Sequence, residues 1–308
     1  MHVSDALISP PVAAVSGLMA ISLIGLASKK IKEVKRPEII PLMGVMGAFV
    51  FAAQMINFTI PGTGSSGHLI GGILLSAILG PWCAFITLCS VLIVQCLIFA
   101  DGGLLALGCN ILNMAATSCL IAYPFIFRPI ARNTLNPIRL TIATIIASII
   151  ALEIGALAVT LETELSGITA LPFRTFIQFM LPIHVIIGLI EGIVSAGLLI
   201  FVSRNRPSIL YKVSTSQNKA TNLKPVFIGI GILTLVFAGG FTFLASEYPD
   251  GLEWSIEKVS SSFDYSSAPP ATAIMPDYNS NWAGIVGAII VITLVWVISN
   301  LIFKYIRK

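Results

Sequence analysis

The sequence predicts an all-α integral membrane protein, with about seven transmembrane helices followed by a C-terminal two-helix module. Three observations carry this. Hydrophobic residues make up 56% of the 308 residues and charged residues only 10%, against roughly 25% charged in ordinary globular domains. Mean hydropathy is +0.95. The apolar residues fall in runs of about 20, the length at which a helix crosses a bilayer. Length alone would suggest about two soluble domains, and the composition overrides that. The expected surroundings are a lipid bilayer, with no nucleic-acid partner.

Nine helices are expected, near 9–28, 39–58, 68–80, 81–100, 110–128, 140–163, 172–203, 225–245 and 283–303. The third is too short to span alone. Gly80-Pro81 separates it from the fourth, because proline cannot continue a helix that precedes it. The seventh opens with LPFRTFIQFM (171–180), an amphipathic stretch expected at the membrane interface before Pro182 starts the crossing.

The basic residues give an orientation. Lys29 to Arg36 follow the first helix, Arg128, Arg132 and Arg139 the fifth, Arg204 to Lys224 the seventh, and Lys304 to Lys308 the ninth; together these groups hold 16 of the 18 Lys and Arg. Each falls after an odd-numbered helix. Basic loops stay in the cytoplasm, so the amino terminus is expected outside and the carboxyl terminus inside, in a multi-pass cell-membrane protein. The parity requires that Gly80-Pro81 be a hairpin. A signal peptide would carry basic residues before its apolar run. Here they follow it, so the amino terminus is expected to be retained.

Residues 204–224 read as a cytoplasmic basic linker between the domain 1–203 and the final pair, 225–308. The outside loop 246–282 holds six acidic residues against the single Lys258. The five cysteines lie in apolar runs without a CxxC pair, as small buried hydrophobes do.

Only three histidines occur: His2, His68 and His184. An X-His amino terminus is a chelator. The Met1 amine, the His2 amide and the His2 imidazole Nδ1 close two rings on one metal ion and leave a fourth corner open. An imidazole there completes a square-planar nitrogen set, which suits nickel(II) or copper(II). His68, at the end of the Gly/Ser-rich loop TIPGTGSSGH (59–68), is the one other histidine expected outside. A histidine at the second position, or one after a flexible loop, also arises by chance, and the pattern alone leaves both readings open. His184 and Glu191 lie seven apart in HVIIGLIEG, about 10 Å along a helix, too far to chelate one ion together. Glu191 and Glu153 are intramembrane carboxylates, costly and functional by default; a buried hydrogen-bonded pair is the equal alternative.

Four stretches carry a resemblance: MHVSDALISP, INFTIPGTGSSGHLIGG (56–72), FADGGLLALGCNILNMA (99–115) and HVIIGLIEG (184–192). Over residues 1–203 the chain resembles the nickel/cobalt substrate-binding membrane component of energy-coupling-factor transporters, the NikM/CbiM family. PDGLEW (249–254) and MPDYNSNWAGIVGAIIV (275–291) are similar to the two-helix PDGLE module related to the family's accessory NikN/CbiN subunit. The resemblance implies that Met1, His2 and His68 hold the metal. Asn57, Asp101, Asn110, His184 and Glu191 are candidates for supporting the ligands or gating the site. Ala6 stands where family members often carry glycine.

The function expected is ATP-driven uptake of nickel(II), with cobalt(II) as the alternative. No GxxxxGK[ST] loop is present, so this chain is not expected to bind ATP. The resemblance implies two cytoplasmic ATPase subunits and a membrane scaffold subunit as partners. A membrane metalloenzyme using His184 and Glu191 is a rival without an HExxH motif. An ion channel is a second rival, lacking a ring of charges.

Overall fold

The computed structural model describes residues 1–34, 39–132, 135–211, 224–240, 245–260, 273–276 and 282–304. After a 3₁₀ turn at Asp5–Leu7 come α1 (Pro10–Ile31) and α2 (Ile39–Gln54). Two three-residue strands follow, β1 (Phe58–Ile60) and β2 (Ser65–Gly67), paired antiparallel with Thr59 opposite Ser66. Then come α3 (Gly72–Leu79) and α4 (Pro81–Phe99), with α5 continuous over Leu107–Ala131. The last elements are α6 (Pro137–Ser166), α7 (Phe173–Asn205), α8 (Lys224–Gly240), α9 (Gly251–Val259) and α10 (Ala283–Lys304).

All nine expected helices are present, and the membrane fold class holds. Among the described residues, six helices are long and apolar enough to cross a membrane. α2 and α8 are shorter apolar helices of 16 and 17 residues. Three features depart from expectation. The third helix begins at Gly72 rather than residue 68, because residues 65–67 are taken by a strand and Gly71 turns with φ +76°. Pro182 lies inside one continuous 33-residue helix instead of dividing an interfacial segment from a crossing. And α9 occurs in the loop 246–282, where no helix was expected. Its start is a capping box: Asp250 accepts from the Leu252 and Glu253 N–H groups, and the Asp250 N–H donates to Glu253. Three end-of-helix donors are thereby satisfied.

Contacts between connections show that successive helices alternate in direction. The Gly103 N–H donates to Val3 O (2.9 Å), the Ser9 N–H to Ser166 Oγ (3.0 Å), and the Ser66 N–H to Pro249 O (2.8 Å). The residue 1–9 segment, the 55–71 loop, the 100–106 loop, Ser166 and the 245–250 segment therefore share one end of the bundle. At the other end, the Tyr211 N–H donates to Ala77 O (2.8 Å), and the Tyr211 ring lies 2.7 Å from where a Gly80 Cβ would stand. Gly80, at φ +85°, makes the break before Pro81. The expected linker lies outside the described residues from 212 to 223.

α6 and α7 approach closely through glycine. A Cβ on Gly188 would lie 2.8 Å from Ile149 Cα, and one on Gly192 2.5 Å from Ile145 Cα. Small residues four apart let backbones meet where lipid offers no hydrophobic drive. Gly192→Ala is expected to force the two helices apart and to cost about 1–3 kcal/mol, read as a lowered thermal midpoint in detergent. An unchanged midpoint would contradict the packing.

Candidate metal centre

The amino terminus is built into the bundle. Met1 is 4% exposed and His2 8%. Asn110, near the start of α5, grips the neighbouring residue from both sides: its Oδ1 accepts the Val3 N–H (2.8 Å) and its Nδ2 donates to Val3 O (3.1 Å). Gly103 reaches the same carbonyl, and the Ala106 N–H donates to Asp5 Oδ1 (3.0 Å). Gly102, at φ +88°, passes 2.7 Å from Asn110 Nδ2 where a Cβ would be, so a side chain there would displace the clamp. The Met1 side chain runs back to Gly155 of α6, its Cε 2.7 Å from a Cβ built there.

The second segment comes from the β1–β2 ribbon. Gly62 and Gly64, at φ +79° and +74°, make its turn, and His68 follows β2, 7% exposed. Glu191 of α7 fixes this loop from beneath, accepting the Ile70 N–H (2.8 Å) and the Gly71 N–H (3.0 Å). Gln54 donates to Ile70 O (2.8 Å). A carboxylate bound by two buried N–H groups is a strong, directional hold.

The segments meet at the terminal amine. His68 Nε2 stands 2.9 Å from Met1 N, while His68 Nδ1 lies 3.2 Å from Leu69 O. With the proton on Nδ1, the ring donates to that carbonyl and offers the Nε2 lone pair to the site. The His2 and His68 rings stack, centroids 5.0 Å apart. His2 Nδ1 is 3.1 Å from Asp101 Oδ1, and Nε2 is 3.3 Å from Gln95 Oε1. Chelation through Nδ1 therefore requires the His2 ring to leave Asp101.

A third segment was missing from the sequence reading. Asp250 Oδ2 sits 2.6 Å from Met1 N and 4.0 Å from His68 Nε2. Asp250 stood there among the acidic residues of the 246–282 loop and within PDGLEW, without a role at the site; the D-x-x-E spacing of its capping box was the available signal. Burial lowers the pKa of His2, with Asp101 opposing; burial and then the terminal ammonium lower that of His68 further. Burial pushes the Asp250 carboxyl up, but the ammonium and His68 outweigh it and hold the group well below the usual carboxylate range. Burial, with Asp250 alongside, pushes Glu253 up to about 7.

The remaining candidates divide. Asp101 and Asn110 join the constellation, one on His2 and one on Val3. Asn57 contributes its backbone carbonyl to the Ser246 N–H (2.8 Å), a contact with the C-terminal part of the chain. The catalytic pair of the metalloenzyme rival is not assembled: both Glu191 oxygens serve the His68 loop, and His184 Nδ1 bonds Met180 O (2.7 Å). Among the described residues no group of three or more His, Cys, Asp or Glu could hold a metal ion. A metal here would need the terminal amine and backbone as donors.

Glu191→Leu leaves two buried N–H groups without acceptors, each worth about 1–3 kcal/mol. Amide exchange at Ile70 and Gly71 is expected to speed by at least about tenfold; unchanged protection there would show that Glu191 does not hold the loop.

Comparison with known proteins agrees with this architecture. The family profile described as "Cobalt uptake substrate-specific transmembrane region" matches residues 2–209, and the PDGLE domain profile matches 224–304. A chain of Archaeoglobus fulgidus, provisionally named a fused nickel transport protein NikMN, is 28% identical over 303 residues, covering 96% of each chain. The cobalt transport protein CbiM of Geobacter sulfurreducens is 24% identical over 272 residues, covering 84% of this chain and 77% of that one. The crystal structure of a truncated transition metal transporter superposes with a TM-score of 0.58 at 29% identity, covering 66% of this chain and 99% of that one. The chain thus belongs to the CbiM family of cobalt-uptake substrate-specific membrane components, fused to a C-terminal PDGLE domain, and is a multi-pass membrane transport component rather than an enzyme.

Proposed function

We propose that this chain captures nickel(II) from outside the cell, through the Met1 amine, the His2 amide and imidazole, and His68 Nε2. The observation that carries this reading is the 2.9 Å separation of Met1 N and His68 Nε2. Metal–nitrogen bonds of about 2.0 Å put adjacent corners of a square about 2.8–2.9 Å apart. In the chelate, the amine and the incoming imidazole occupy adjacent corners. Four nitrogens in a plane suit nickel(II) better than cobalt(II), and cobalt is the second substrate.

Loading removes two contacts, Asp250 from the amine and Asp101 from His2 Nδ1. In this reading residues 1–203 are the metal-binding component, 204–224 a cytoplasmic linker, and 225–308 the module with its loop 246–282 outside. The basic loops favour that orientation. Energy comes from two cytoplasmic ATPase subunits acting through a membrane scaffold subunit, as the family implies.

Two outcomes test it. Affinity for nickel is expected to fall at least about tenfold per unit as pH drops from about 8 to 6. Burial lowers the pKa of both His2 and His68, so the dependence is expected chiefly from the protons that the metal displaces from the amine and the His2 amide. A flat profile would mean that carboxylates hold the ion. Acetylating the terminal amine is expected to abolish tight binding in the native-length chain. Tight binding by the acetylated protein would show that the amine is no ligand.

A further inference from the structure

His184 is 1% exposed, yet only half of its imidazole is used. Nδ1 lies 2.7 Å from Met180 O, four residues back in α7. That bond puts the proton on Nδ1 and makes Nε2 an acceptor. Nε2 is buried and has no hydrogen-bond partner. An unmatched buried acceptor is costly, and an apolar residue would avoid that cost.

Its surroundings give the lone pair a use. Met1, His68, His184, Ile187 and Asp250 line one small cavity. Along α7, Ile187 touches Gly67, the residue before His68, while Gly251 lies over Ile183 and His184. His184 therefore stands one turn nearer the start of α7 than the level at which the His68 loop docks. It lies under the α9 segment that carries Asp250.

We infer that His184 Nε2, with the Asp250 carboxylate, forms a relay site that takes an incoming divalent transition-metal ion and passes it to the terminal chelate. This rests on the proposed metal reading and extends it to the path inward. One imidazole and one carboxylate suit a first-row divalent ion. Two protein ligands leave most coordination positions to water, so the ion binds well enough to come in and weakly enough to leave. The relay is empty of protons to displace at His184, whose Nε2 already offers its lone pair.

The full chain in detergent, mixed rapidly with nickel(II), separates a relay from a packing residue. A relay lowers the barrier in both directions and leaves the end state untouched. His184→Leu is therefore expected to slow association and dissociation alike, each by about tenfold or more, with Kd within about twofold of the native value. The native protein is expected to bind in two phases, one dependent on nickel concentration and one not, with planar-nickel absorption appearing in the second. Unchanged rates in His184→Leu, or a Kd that rises through dissociation alone, would overturn the relay. If the variant does not fold, a single concentration-dependent phase in the native protein overturns it equally, and two phases support it. A His68→Ala control keeps the hypotheses apart. If it binds nickel as tightly as the native chain, the proposed function fails; if it binds weakly while His184→Leu keeps native rates, only the relay fails.

Discussion

The paired hydrogen bonds between Asn110 and Val3, 2.8 and 3.1 Å long, are the constraint on which the site depends. A chain terminus is ordinarily the most mobile part of a fold. Here the first residues are held edge-on by one asparagine, with Gly103 joining and the Met1 side chain lodged against Gly155. The terminal amine is thereby fixed in space as firmly as a side chain on a helix. Only then can a histidine from another loop be set against it, and Glu191 performs that placement by holding Ile70 and Gly71.

Burying a charged terminus requires a counter-charge. Asp250 supplies it at 2.6 Å, and Asp250 belongs to the C-terminal module. The C-terminal module thus reaches the candidate site through this ion pair, backed by backbone bonds from Ser66 to Pro249 and from Ser246 to Asn57. Within the acidic loop, Asp250 pairs with the amine and caps α9, and Glu253 completes the cap. Of the other four acidic residues, Glu247 and Glu257 are exposed, and Asp264 and Asp277 lie outside the described residues.

Much of this was legible in the sequence because apolar runs of helical length and the spacing of basic residues are strong signals. The Met-His start and the Gly/Ser loop ending in His68 pointed to two segments of one site. Asp101 and Asn110 could be named from their motif, though not their separate tasks on His2 and Val3. The β1–β2 ribbon was not legible, since three residues are too short a run to establish an alternating pattern and β2 is Ser-Ser-Gly. Asp250 was missed because its charge was read as one of a group, whereas its role follows from a capping box that orients one carboxylate oxygen inward to the helix and leaves the other for the amine. His184 and Glu191 share a helix face, yet they act on different partners, which spacing alone does not reveal.

The central claim is that nickel is held by nitrogens alone, one of them the terminal amine. X-ray absorption of the nickel-loaded full chain tests this most directly. Ligation by nitrogens alone gives the pre-edge signature of planar four-coordinate nickel and a single shell of four nitrogens at about 1.9–2.0 Å. Six-coordinate nickel with oxygen neighbours at about 2.1 Å would contradict it.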